Sequence, residues 1–165
     1  ALPIFFSMFR PMKRSGQQLE LKECLEILKT EPRGVLSLLG DNGYPYGIPM
    51  DHWYCEENGR LYFHGAKSGH KIDSLRVCDK ASYCVYDRGF CKEGEWALNI
   101  RSVVVFGRIR PVTDIGQAET ICRCLCRKFT DDSDYIEHEI KHFLSNVLCL
   151  ELTPEHITGK LVNES

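Results

Sequence analysis

Asp41-Asn42-Gly43 stands between two apolar runs, "GVLSLL" before it and "YPYGIPMDHWY" shortly after. Asn-Gly accepts positive φ at little cost, so this tripeptide between strand-forming residues specifies a β-hairpin. A second turn, "CEENGR", feeds a further run, "LYFHGA", and the three runs read as an antiparallel meander. In that reading strand 47–52 and the segment around 64–71 are adjacent antiparallel partners. Farther on, "KASYCVYDR" has strand character, and "IRSVVVFGRIRPV" is the strongest strand of the chain. Gly107 interrupts the latter and marks a bulge or sharp bend. "VLCLELTPEHITGKLV" closes as a strand with a break at Pro154.

Helical spacing is confined to four places. Leu21, Cys24, Leu25 and Leu28 recur on one helix face until Pro32-Arg33-Gly34 stops the pattern. "HKIDSLRVC" carries Ile72 and Leu75 at short helical spacing. "TDIGQAETICRCLCRKF" begins with Thr113 or Asp114 as N-cap, and "DDSDYIEHEIKHFL" follows as a second helix. "GFCKEGEWALN" reads as a looser connection. Six or so strands with few helices specify a mainly β fold, a small β-barrel with flanking helices.

A chain of 165 residues is one domain, long enough to bury a core. "ALPIFFSMF" is too short for a signal peptide and lacks a basic start, so residues 1–8 read as an extra leader. Met8 is then a candidate native start, and 9–165 the domain. A formal charge of -2 disfavours extended nucleic-acid binding, and no apolar run of about 18 residues offers a membrane span. Nine cysteines, an odd number without framework spacing, place the chain in a reducing cytoplasm. Cys122 and Cys126 share a helix face, while Cys124 does not. With no partner set of metal-ligand spacing, all three read as small buried or half-buried hydrophobes. His138 and His142 at i, i+4 lack a third ligand and read as a solvated face, so no metal site is assigned.

The densest set of small and phosphate-friendly residues is His64, Gly65, Ala66, Lys67, Ser68, Gly69, His70 and Lys71. The glycines let a ligand approach the backbone, Ser68 offers a hydroxyl, and Lys67 and Lys71 add charge. Unpartnered N–H groups at the start of the following helix complete a candidate anion site. The spacing matches neither a Walker loop nor a dinucleotide fingerprint, and an ordinary connection with solvated lysines remains the other reading.

"FRPMKR", "YPYGIPMDHWY", "LYFHGAKSGHKID" and "SVVVFGRIRPV", in that order, resemble the FMN-binding split barrels related to pyridoxamine 5′-phosphate oxidase, in their nitroimidazole-resistance (Nim)-like branch. The resemblance runs from about Phe9 to Val162. It implies a homodimer with FMN in two clefts at the subunit interface. The strand matching Gly47, Ile48, Pro49, Met50, Asp51 and His52 would lie along the isoalloxazine, largely through its backbone, followed by His64 and Gly65; a structural histidine is an equal reading of His52. The positions of His70 and Lys71 would hold the 5′-phosphate. Relatives often carry Arg-Lys where this chain has His70-Lys71, which shifts weight to Lys67 and Ser68. Ser102 matches a ring contact supplied by the other subunit. The flat apolar ring and dianionic tail of FMN suit an apolar strand beside an anion-binding turn.

The implied activity is an FMN-dependent oxidoreductase reducing a small aromatic, nitro-type acceptor. His64 is the candidate for a polar group on the substrate side. Trp96 in the loose stretch is a candidate stacking partner, although core or dimer packing is the stronger reading. Trp53 and Tyr54 read as core or interface. True pyridoxamine-phosphate oxidation is disfavoured because no arginine follows Arg127. The alternative is a non-catalytic carrier of flavin or of haem.

Overall fold

The computed structural model describes residues 9–163. The expected leader, residues 1–8, lies outside the described residues. Helix α1 (Leu21–Thr30) begins with a reciprocal cap between Glu20 and Glu23, the Glu20 N–H donating to Glu23 Oε2 at 2.9 Å. It buries Cys24, Ile27 and Leu28 and ends ahead of Pro32, as the spacing predicts.

β1 (Arg33–Leu39) and β2 (Pro45–Asp51) form the expected hairpin, in register from Arg33 opposite Asp51 to Leu39 opposite Pro45. Asn42 and Gly43 take φ of 56° and 79° at its turn, the left-handed conformation that Asn-Gly tolerates best. β3 (Trp53–Cys55) and β4 (Arg60–Ala66) make a second hairpin around Gly59. Then follow α2 (His70–Val77), β5 (Lys80–Tyr86), the two-residue β6 (Phe90–Cys91) and β7 (Leu98–Pro111). α3 (Ile115–Arg127) is capped by Asp114, whose carboxylate accepts from the Gln117 N–H at 2.7 Å. α4 (Ser133–Phe143) and the long β8 (Val147–Asn163) complete the chain.

All 8 strands join one antiparallel sheet in the order β2-β1-β5-β7-β8-β4-β3, with β6 added to β7. The meander expectation fails at one point: β2 does not pair with β4. Among the described residues β2 has β1 as its one strand partner, whereas β4 sits between β8 and β3 at the far end of the path. The strand predicted as one run through Trp53 and Tyr54 breaks at His52, and its two halves serve opposite ends of the sheet. This makes the sheet curl into a half-barrel with a seam between β2 and β4.

His52 sits buried at the break. The His52 ring is wholly inside, with Nε2 2.6 Å from the Leu28 carbonyl oxygen and Nδ1 2.9 Å from the Tyr83 hydroxyl. Tyr83 Oη also lies 2.7 Å from the Met50 carbonyl. The Lys128 ammonium closes the corner from outside, donating to the carbonyls of Glu31 (2.7 Å) and His52 (2.8 Å). Burial, with Lys128 second, pushes the His52 pKa down to about 4, so the ring is neutral and donates from Nε2.

Gly107 behaves as predicted. Phe106 pairs with His156 but Gly107 with Pro154, so Glu155 bulges out of β8. A Cβ on Gly107 would overlap the Thr153 carbonyl oxygen. Two apolar cores result. One fills the barrel with Leu36, Phe63, Tyr83, Val103, Val105 and Leu152 and is plugged by α1. The other lies outside β3, β4 and β8, where Tyr62 and Cys149 meet Ile121, Cys122 and Leu125 of α3 and Ile136 and Ile140 of α4.

Candidate functional site

The seam between β2 and β4 is an open groove of about 480 Å³. Ile48, Pro49, Met50 and Asp51 form one wall, Arg33 lies beside them, and His64 and Lys71 form the other side. Wall and anchor therefore meet as the sequence anticipates, through closure of the sheet instead of strand pairing. Curling brings the two ends of a sheet together where hydrogen bonds do not link them.

Lys71 is the group that stands out chemically. It is half-buried, and its ammonium reaches back along β4 to lie 3.7 Å from the Met50 thioether, a weak acceptor. Among the described residues no carboxylate pairs with it, and burial alone holds its pKa below the usual lysine range. Gly65 permits this placement, because a Cβ there would overlap the Lys71 ammonium. The first turn of α2 opens on the same side. Gly69 takes φ of 113° at the N-cap and offers no side-chain cap. Only Ile72 and Asp73 bond back to its carbonyl, so the His70 and Lys71 N–H groups have no protein partner among the described residues. Lys67, Ser68 and Gly69 lie exposed beside them. An uncapped helix start, a half-buried cation and exposed small residues favour an anion.

His70 is placed differently from a phosphate ligand. Its ring stacks on Tyr46, centroids 3.9 Å apart, and its Nε2 lies 3.6 Å from Asp41 Oδ2. The side chain is thus engaged by the β1–β2 turn, and only its backbone N–H faces the anion position. His64 stands at the groove rim. Desolvation, then Lys71, holds its pKa below the ordinary histidine value, so it is a neutral donor and acceptor at neutral pH. His52 is a structural histidine: its ring is buried and both nitrogens are committed to the corner, which leaves a ligand only its backbone. Gly47 and Ala66 extend β2 and β4 away from the corner.

Ser102 does not approach the groove of its own chain. It sits in β7 between Tyr86 and Lys160, with β5 and β1 separating it from β2. Trp96 is 82% exposed on the loop before β7. Trp53 stacks on Tyr62 at 5.3 Å and Tyr54 is buried, the packing roles expected. The His138 and His142 rings lie 4.1 Å apart, tilted by 32°, on the exposed face of α4, the His142 Nδ1–H donating to the His138 carbonyl at 2.7 Å. Among the described residues no group of three or more His, Cys, Asp or Glu could hold a metal ion.

Arg33 and Tyr46 were not singled out from the sequence. Arg33 pairs with Asp51 at 2.6 Å across the hairpin and fixes the carboxylate at the groove edge. The hairpin register alone, with its turn at Asn42-Gly43, would have found that pair. Tyr46 had no local signal, since its partner is 24 residues away in sequence.

The family described as pyridoxamine 5′-phosphate oxidase matches residues 20–161. None of the curated proteins matches the chain. Among solved structures, a candidate 5-nitroimidazole antibiotic resistance protein from Bacteroides thetaiotaomicron superposes with a TM-score of 0.73 at 18% identity, over 88% of this chain and 87% of that one. A FAD-binding protein from Mesorhizobium loti gives 0.64 at 22% identity, over 88% and 97%. A FAD- and haem-binding protein from Mycobacterium smegmatis gives 0.70 at 19%, over 90% and 74%. At these identities the likeness is one of fold.

Proposed function

This chain belongs to the pyridoxamine 5′-phosphate oxidase family, and from that premise we propose that it binds a flavin in the β2–β4 groove. The observation that carries the reading is Lys71, a half-buried ammonium whose one polar side-chain partner among the described residues is a thioether, next to the uncapped start of α2. Leaving a charge so poorly compensated is costly unless an anion completes the site. A flavin 5′-phosphate supplies that anion, and the apolar stretch Ile48–Pro49–Met50 suits the isoalloxazine. The finer reading is FMN. The solved relatives that bind FAD carry the same ring and the same proximal phosphate, with a second phosphate and an adenine beyond it.

In this reading Lys71 and the His70 and Lys71 N–H groups bind the phosphate and β2 orients the ring. His64 holds or relays a proton at the rim. The flavin supplies two-electron chemistry when bound, and the protein acts on a small aromatic, nitro-type acceptor. The working unit is a homodimer. Its support is the outer face of β5, β7 and β8, which leaves Tyr86 60% and Phe106 41% exposed beside half-buried Val104. Such a face would also carry Ser102 to the partner's groove.

The absorbance spectrum of the purified protein, before and after adding and washing out flavin, tests the proposal. Retained flavin bands with bleaching by reduced nicotinamide nucleotide and recovery with a nitroaromatic support the enzyme. Retention without turnover supports the carrier, a Soret band moves the reading to haem, and no retained chromophore refutes the site. Chromatography of the released cofactor separates FMN from FAD.

A further inference from the structure

Cys122 of α3 and Cys149 of β8 face each other in the outer core, sulfur to sulfur at 3.7 Å. We propose that they are a redox-active dithiol, oxidised to a disulfide by hydrogen peroxide or another small hydroperoxide.

Three observations carry this. The sulfurs are already in contact, and a disulfide needs them to close by only about 1.7 Å, to roughly 2.05 Å. Cys122 also lines a cavity of about 80 Å³ among Cys126, Ile140, Phe143, Leu144 and Val147, with Glu139 and His64 at its edge. Phe143 is 51% exposed, so the cavity is near the surface and a molecule the size of peroxide can reach the Cys122 sulfur. Finally, the two thiols are not equivalent. Cys149 is 1% exposed and also donates to the Ala118 carbonyl oxygen at 3.7 Å, whereas Cys122 is 6% exposed and is the one of the two that lines the cavity.

The chemistry follows that asymmetry. The Cys122 thiolate attacks one peroxide oxygen, the O–O bond breaks, and a proton and the leaving hydroxide depart as water. The resulting sulfenic acid is attacked by Cys149, an S–S bond forms, and a second water leaves. Two thiols lose two electrons and one peroxide gains them. Reduction by a small thiol reverses the step. The bond would tie α3 to β8 at the residue directly opposite His64 in β4, so it stiffens the layer behind the groove rim. None of this depends on flavin being bound.

The test is peptide mass spectrometry of the whole protein after graded hydrogen peroxide, with exposed Cys91 as the reporter that oxidant arrived. The expected result is a linked pair of peptides holding Cys122 and Cys149, 2 mass units lighter than the free thiols, and lost after reduction. In Cys149→Ala the reaction should stop at a Cys122 sulfenic acid that a dimedone probe traps. No such linkage while Cys91 is oxidised overturns the proposal, as does a Cys122–Cys126 linkage in its place.

Discussion

Replacing Lys71 with Met keeps the length and apolar stem of the side chain and removes only the ammonium. If that ammonium holds a flavin phosphate, the variant loses a charge-assisted hydrogen bond, which contributes about 1.5–3 kcal/mol. At about 1.4 kcal/mol per decade, FMN affinity should fall about 10- to 100-fold. The apoprotein should behave oppositely. Burial lowers the Lys71 pKa in the folded state, so the unfolded chain binds that proton more tightly and the charged form opposes folding at neutral pH. Stability attributable to this group therefore rises as the pH passes from its lowered folded value toward the ordinary lysine value. Removing it should leave apoprotein stability unchanged or improved. Flavin fluorescence quenching gives the affinities, urea unfolding of the apoprotein the stability, and riboflavin is the control, since it has no phosphate and should bind both proteins alike. An FMN affinity within about threefold of the parent would refute the assignment. So would an equal loss for riboflavin, which would point to a damaged groove.

Further outcomes follow from other named groups. His52 is neutral and buried with its pKa near about 4, so its protonation must cost stability as pH falls from 6.5 toward 4. Between pH 7 and pH 5 this group alone should remove about 2 kcal/mol, and urea titrations of His52→Gln should lack that component. Gly107→Ala should cost about 1–3 kcal/mol by driving a methyl into the Thr153 carbonyl, read as a lowered midpoint with an unchanged denaturant slope. Val104→Arg on the outer sheet face should convert a dimer to a monomer in light scattering while leaving circular dichroism unchanged. A parent protein that is already monomeric and still retains flavin removes the homodimer from the proposal.

Local chemistry determined much of this protein from its sequence. Asn42-Gly43 marked a tight turn, Thr113 or Asp114 had to cap α3, Pro32 had to end α1, and Gly107 marked a bulge or bend in its strand. The first three depend on a residue's own conformational range or on neighbours a few positions away, and Gly107 announced a break in its strand although the carbonyl that excludes a methyl there belongs to Thr153. The elements of the proposed anion site at 64–71 were equally legible, because its glycines, its lysines and the start of the helix lie in one stretch. What the sequence could not display was the order of the strands. A run from Tyr46 to Tyr54 has strand character throughout, and nothing local to it says that His52 will turn inward to Leu28 and Tyr83. Those partners lie 24 and 31 residues away, and His52 packs among them at the point where the chain passes from β2 to β3, which stand at opposite ends of the sheet. The groove exists only because those ends then meet. The same dependence governs His70, drawn off to Tyr46, and the dithiol, since Cys122 and Cys149 face each other only once α3 packs across β8.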